Sequence, residues 1–172
     1  MNTIYITGGE YGGRKIATPG GATHPMGSRE RLAIFNKLTG KIEGARILDV
    51  FAGSGALGIE ALSRNAESVV FVEKSREATD VIKRNLADLQ IENARVVKSS
   101  LEEAELNTFD IVFADPPYDK FNGKMVERLP ELVEKGGILV LSHPSEAPEF
   151  SGLDLVDSRK YAGATISFYN KH

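Results

Sequence analysis

From Arg46 onward the chain repeats one alternation, a short apolar run followed by a longer amphipathic stretch. The runs fall at Ile47–Phe51, Val69–Glu73, Arg95–Lys98, Asp110–Ala114 and Ile138–Ser142. Each has the length of a strand with an apolar centre, and the runs are read as buried strands. The clearest stretch between them, Ser75–Gln90, sets Ala78, Val81, Ile82, Leu86 and Leu89 on one stripe and reads as a helix. Strands that alternate with helices bury their faces as a mainly parallel sheet covered on both sides. The spacing therefore predicts an α/β fold, closed by an antiparallel pair at Leu153–Tyr161 and Thr165–Tyr169.

The first 45 residues follow a different grammar. Alternating runs at Ile4–Thr7 and Arg14–Thr18 flank Gly8-Gly9 and Gly12-Gly13, which predicts a short hairpin. A loop over Pro19–Pro25 leads to a helix over Ser28–Leu38, with Leu32, Phe35 and Leu38 on its inner face. A further helix is expected at Val126–Glu134. With 172 residues, no internal repeat and no linker, the chain reads as one domain: an arm and helix over 1–45 and the sheet core over 46–172.

Composition removes several chemistries. The chain has no cysteine, so disulfides, thiolate metal sites and cysteine nucleophiles are excluded. Three scattered histidines (His24, His143 and His172) do not suggest a metal site, and none is expected. The net charge of −3 argues against coating nucleic acid by bulk charge, but it is unevenly spread. Residues 1–45 carry +3 and the remainder −6. No apolar run approaches the roughly 20 residues of a membrane helix, and the first residues lack a signal-peptide pattern. The expectation is a cytoplasmic monomer without a membrane partner.

The segment Ile47-Leu48-Asp49-Val50-Phe51-Ala52-Gly53-Ser54-Gly55-Ala56-Leu57-Gly58 reads as a strand, a glycine turn and a helix start. Its glycines have the spacing of a dinucleotide fingerprint, and Glu73 follows at the end of the next strand, where a carboxylate accepts from ribose hydroxyls. This points to a nucleoside-containing cofactor. Asp49, at the end of the first strand, decides which one. A carboxylate there opposes an anionic pyrophosphate and suits a cation. S-adenosylmethionine, with an ammonium, a sulfonium and no phosphate, is favoured over NAD. The competing reading is a glycine turn in which Asp49 only caps backbone.

Phe109-Asp110-Ile111-Val112-Phe113-Ala114-Asp115-Pro116-Pro117-Tyr118 is a buried strand ending in a rigid turn. The prolines present a carboxylate, the Pro116 carbonyl and an aromatic face together. That set suits methylation of an exocyclic base amine, a poor nucleophile whose lone pair is delocalised into the ring. Asp115 and the Pro116 carbonyl would accept its two hydrogens, while Tyr118 stacks on the extruded base.

With both motifs in place, the chain resembles the class I methyltransferases that carry an Asp-Pro-Pro-Tyr motif. Within them it is similar to the RsmD-type family, which methylates guanine N2 in bacterial 16S ribosomal RNA. The likeness runs through Gly8-Gly9-Glu10-Tyr11-Gly12-Gly13-Arg14-Lys15, Arg29, Ala33-Ile34-Phe35-Asn36, Asp49 to Gly55, Glu73, Asp115 to Tyr118, Tyr161-Ala162-Gly163 and Phe168-Tyr169. The resemblance implies a Rossmann-like, mainly parallel seven-stranded sheet with helices on both faces, an antiparallel closing strand and an N-terminal β-hairpin arm.

It also implies that Asp49, Phe51, Gly53, Gly55 and Glu73 hold the methyl donor and that Asp115, Pro116 and Tyr118 hold the base. The partner would be 16S rRNA or the small ribosomal subunit. Arg14, Arg29 and Arg31 are candidates for RNA phosphates, contacts that position without specifying.

The chain departs from the family at His24-Pro25-Met26 (usually Arg-Pro-Thr), at Ser28 and Leu32 (often Asp and Glu), and at Ser99-Ser100, where an Asp commonly meets the adenine. Ser99 is a weaker acceptor for that contact, and Ser100 with Glu103 reads as a helix capping box. Alternatives are an adenine-N6 methyltransferase on DNA or RNA and a catalytically silent donor-binding ribosome-assembly factor. The short interval between Tyr118 and the next strand leaves little room for a DNA-recognition region, and the intact Asp115 and Tyr118 oppose the silent reading. Asp49 opposes a nicotinamide oxidoreductase.

Overall fold

A computed structural model describes residues 2–21 and 25–172. His24 and the centre of the loop read over Pro19–Pro25 lie outside the described residues. The glycine-flanked runs at the start pair as the expected antiparallel hairpin, β1 (Thr3–Tyr5) with β2 (Lys15–Ala17), and α1 (Ser28–Lys37) follows.

The alternation beyond Arg46 builds β3 (Arg46–Val50), α2 (Ala56–Ser63), β4 (Ser68–Glu73), α3 (Arg76–Asp88), β5 (Ala94–Lys98) and β6 (Phe109–Ala114). Two single-turn helices follow, α4 (Gly123–Val126) and α5 (Leu129–Leu132), and then β7 (Val133–His143), β8 (Leu153–Tyr161) and β9 (Ala164–Lys171). The last seven strands form one sheet in the order β5-β4-β3-β6-β7-β9-β8. Five of them run parallel, and β9 inserts antiparallel between β7 and β8. This is the expected Rossmann-like methyltransferase arrangement.

Strand alternation divides the core between the two faces. Ile47, Phe71, Ile111 and Phe113 point to the side covered by α1, α2 and α3, where the Phe35 and Phe113 rings lie 5.5 Å apart. Leu48, Val50, Val112 and Leu139 point to the other side, covered by Val126, Leu129 and Leu132 of the short helices. The arm joins the first cluster through Ile6 and Ile16. Among the described residues no helix is long and apolar enough to cross a membrane.

Val50 pairs with both Val72 and Ala114, so β3, β4 and β6 finish level and their loops leave from one edge. The strand order reverses between β3 and β6, which opens the crevice where open α/β sheets bind ligands.

Four expectations need correction. The helix read over Val126–Glu134 is split into two turns, and Val133 already pairs with Phe109 in the sheet. The Ser100 hydroxyl does accept the Glu103 N–H at 3.3 Å, but only a turn follows, not a helix. The inner face of α1 consists of Arg31, Ile34 and Phe35, with Leu38 at its end, whereas Leu32 is 42% exposed.

Arg31 is therefore no surface group for RNA phosphates. It is 1% exposed and its Nη1 donates to Glu60 Oε1 and to the Tyr5 carbonyl, both at 2.8 Å. Glu60 is fully buried, so removing Arg31 takes from it one of two cationic partners, the other being Arg64. Arg31→Ala is expected to lower the unfolding free energy by about 3 kcal/mol, measured by urea denaturation without RNA.

Candidate active site

The glycine turn after β3 has three residues in left-handed backbone: Phe51 (φ 55°), Gly53 (φ 58°) and Gly55 (φ 83°). Such a conformation costs a non-glycine residue about 1–3 kcal/mol, and strain of this kind gathers where a loop is shaped for a ligand. Gly55 starts α2, and Gly58 lets that helix lie on the sheet, since a Cβ there would fall 2.3 Å from Phe71 Cε1. Two carboxylates hold the turn. Asp49 Oδ2 accepts the Gly58 N–H at 2.9 Å, so the capping role weighed for it is present. Glu73 accepts the Gly53 N–H at 3.1 Å with one oxygen and the Ser75 N–H at 2.7 Å with the other.

In front of the turn lies a cavity of about 390 Å³. Asp49, Phe51, Gly53, Glu73, Ser99 and Asp115 all reach its wall. The amino-terminal segment closes the opposite side through Thr18, Pro19, Gly20, Pro25 and Met26, with the Gly20 N–H on Glu77 Oε1 at 3.0 Å. Five carboxylates (Asp49, Glu73, Glu77, Glu102 and Asp115) face two ammonium groups, Lys74 and Lys120. Burial holds the Asp49 carboxyl well above the ordinary carboxylate range. The Gly58 N–H offsets only part of this, and the Asp115 and Glu73 charges push it the same way. A cation bound here would relieve that repulsion, whereas a pyrophosphate would add to it.

Asp115 leaves the end of β6 beside this cavity. Burial pushes its carboxyl up to about 6, and the Ser142 side chain on the neighbouring strand acts in the opposite direction. Pro116 is buried, and Tyr118 opens a 3-10 turn (Tyr118–Lys120). The Tyr118 hydroxyl is hydrogen-bonded to Ser142 on β7, and burial raises it to about 12, so the phenol stays neutral.

The family model described as "Conserved hypothetical protein 95" matches residues 4–170. Ribosomal RNA small subunit methyltransferase D of Escherichia coli K12 is 41% identical over 140 residues, covering 79% of this chain and 69% of that protein. The chain belongs to the RsmD-type family. A second relative, Bacillus subtilis YlbH, described as a candidate rRNA methyltransferase, is 35% identical across 96% of this chain and 97% of its own length. The solved Escherichia coli protein yhhF, a candidate methyltransferase by its description, superposes with a TM-score of 0.89 at 32% identity, covering 99% of each chain.

In this RsmD-type chain most of the sequence-read donor positions converge. Gly55 stands behind the cavity wall, at the cap of α2. Pro116 and Tyr118 flank the wall rather than forming it. Arg14 and Arg29 are exposed and lie off the cavity, and Arg31 is taken by Glu60.

Two functional groups escaped sequence reading. Ser142 ends an apolar run, and a polar residue closing a buried strand beside the Asp115 strand was its signal. Glu60 is the single charge in the otherwise apolar Ala-Leu-Gly-Ile-Glu-Ala-Leu-Ser helix. The packing of that helix yields a direct test. Gly58→Ala forces a methyl into Phe71, and the unfolding free energy should fall by about 1–3 kcal/mol, read as a lower urea midpoint.

Proposed function

We propose that this protein transfers a methyl group from S-adenosylmethionine to the exocyclic N2 amine of a guanine in 16S ribosomal RNA. The observation that carries this reading is the adjacency of Asp115 to a carboxylate-rich cavity at the same strand edge. Membership of the RsmD-type family supports the reaction class, and the name of the Escherichia coli relative supports small-subunit rRNA as the substrate.

The cavity fits the donor by the chemistry of its wall. Glu73 presents acceptors for the ribose, Asp49 presents charge for the ammonium, and the open space in front of Gly53 admits the nucleoside. Ser99, at the wall near the end of β5, is the acceptor assigned by this reading to the adenine amine; its hydroxyl donates to the Ser100 carbonyl at 2.9 Å. When bound, the donor supplies a methyl carbon made electrophilic by its sulfonium.

The protein must make the amine nucleophilic. Asp115 and the Pro116 carbonyl accept its two hydrogens and turn the nitrogen lone pair out of the ring, toward a methyl carbon about 3–3.5 Å away. As the bond forms, positive charge grows on the nitrogen, and the fixed Asp115 carboxylate stabilises it. Tyr118 stacks on the extruded base, a contact worth roughly 1–3 kcal/mol. Exposed Arg14 and Arg29 serve the RNA backbone.

Asp115→Ala should abolish methylation and still bind S-adenosylhomocysteine by calorimetry; unchanged turnover would remove Asp115 from the site. The product is identified by offering labelled donor with unmodified small subunits, naked 16S RNA and DNA, then digesting to nucleosides. N2-methylguanosine is expected, and label in N6-methyladenosine would overturn the choice of base.

The reaction should also report the raised Asp115 carboxyl. Above pH 6 the group is ionised and accepts from the amine; below it, the carboxyl is protonated and that acceptor is lost. The kcat/KM profile, which reads the free enzyme, should bend near pH 6 and fall about tenfold per unit on the acid side.

A further inference from the structure

We propose that Ser142 is a positioning residue for methyl transfer, its hydroxyl tying the Asp115 carboxylate and the Tyr118 ring into one fixed unit. The proposal rests on the reading that Asp115 accepts the amine hydrogens.

The sheet register places the residue. Ala114 pairs with Leu141 across the parallel β6–β7 ladder, so Asp115 and Ser142 are the next residues on adjacent strands. Ser142 is 1% exposed and bonded to the Tyr118 hydroxyl, which returns from the turn three residues after Asp115. The same register sets the Ser142 side chain beside that of Asp115, where it favours the ionised carboxylate.

A serine has one proton to donate and two lone pairs to accept with. With Asp115 ionised, the three groups can be joined in only one sense: Tyr118 O–H donates to Ser142 Oγ, which leaves the Ser142 O–H for Asp115. One carboxylate oxygen is thereby engaged and the other is left for the amine. The Tyr118 hydroxyl becomes a tether that fixes its ring beside the same spot. The neighbouring His143 follows Ser142 on β7 and so turns to the opposite face, where its Nε2 is engaged with Ser167 Oγ at 2.7 Å. Among the described residues, Asp49 on β3 feels the Asp115 charge, Asp115 and Glu30 of α1 act on Tyr118, and Glu73, Lys74 and Lys120 share the cavity wall.

The test compares wild type, Ser142→Ala, Tyr118→Phe and the double variant. Carbon-13 NMR of labelled aspartate carboxyls follows Asp115 titration, and rRNA methylation gives kcat and KM. Losing a hydrogen bond to an ionised acceptor should move the Asp115 midpoint up by about one pH unit in Ser142→Ala. The acid limb of kcat/KM should move with it and kcat fall about tenfold, while S-adenosylhomocysteine affinity holds.

Tyr118→Phe keeps the ring and breaks the chain one link earlier, so it should move the midpoint in the same direction by less. It serves as the test if Ser142→Ala does not fold. The double variant should match Ser142→Ala, because the two groups act as a unit. An unmoved Asp115 midpoint, or losses that simply add, would overturn the proposal. The carboxyl titration needs no RNA. A moved midpoint in a protein whose wild type methylates no RNA would therefore count against the reaction while upholding the Ser142 link.

Discussion

Glu60 is buried in an apolar helix and accepts hydrogen bonds from three parts of the chain. Thr7 of the arm donates through its N–H at 2.7 Å and its hydroxyl at 3.0 Å, Arg31 of α1 at 2.8 Å, and Arg64 from one turn further along. A lone buried carboxylate costs several kcal/mol, roughly, and the cost is tolerable only when such partners are complete. Here the completion organises the molecule. Arg31 passes the constraint on to the Tyr5 and Met26 carbonyls, and Ser63, three residues after Glu60, bonds the Gly8 carbonyl at 2.5 Å. The arm is thereby held on α2, and its continuation reaches the cavity as the wall formed by Thr18, Pro19 and Met26.

The same helix is held at its other end by Asp49, which ties it to β3 through the Gly58 N–H. One short element thus links an ionic lock beneath the arm to the glycine turn above the sheet. The charge asymmetry of the chain takes a different meaning in this light. The acidic excess of the core is concentrated partly around the cavity, where it favours a cation. The basic excess of the arm is smaller at the surface than the sequence count, because Arg31 is spent internally on Glu60.

The alternation of strands and helices was legible because each run is short, apolar and bounded, and the order of motifs along the chain is the order of loops along one sheet edge. The glycine turn, Glu73 and Asp115 could be read as a site because parallel strands deliver their ends together. What could not be read depends on partners far apart in sequence. The inward turn of Arg31, and with it the exposure of Leu32, follows from Glu60 29 residues away, which no helical stripe encodes. The helix expected near Val126 carries apolar residues at helical spacing, but Val133 gains more from the ladder with Phe109. Ser142 shows in sequence only as a polar end to an apolar run, because its partner is a tyrosine 24 positions back.

Glu73 holds two backbone amides, those of Gly53 and Ser75, with its two oxygens. A carboxylate has lone pairs to spare beyond those two, so a ribose would join an arrangement already fixed rather than replace it. The turn through Phe51 and Gly53 is thus braced by the protein's own groups. A ligand that reached this turn would meet acceptors already oriented by the protein's own amides. Between a sulfonium and a thioether, what a wall carrying five carboxylates could tell apart most readily is charge.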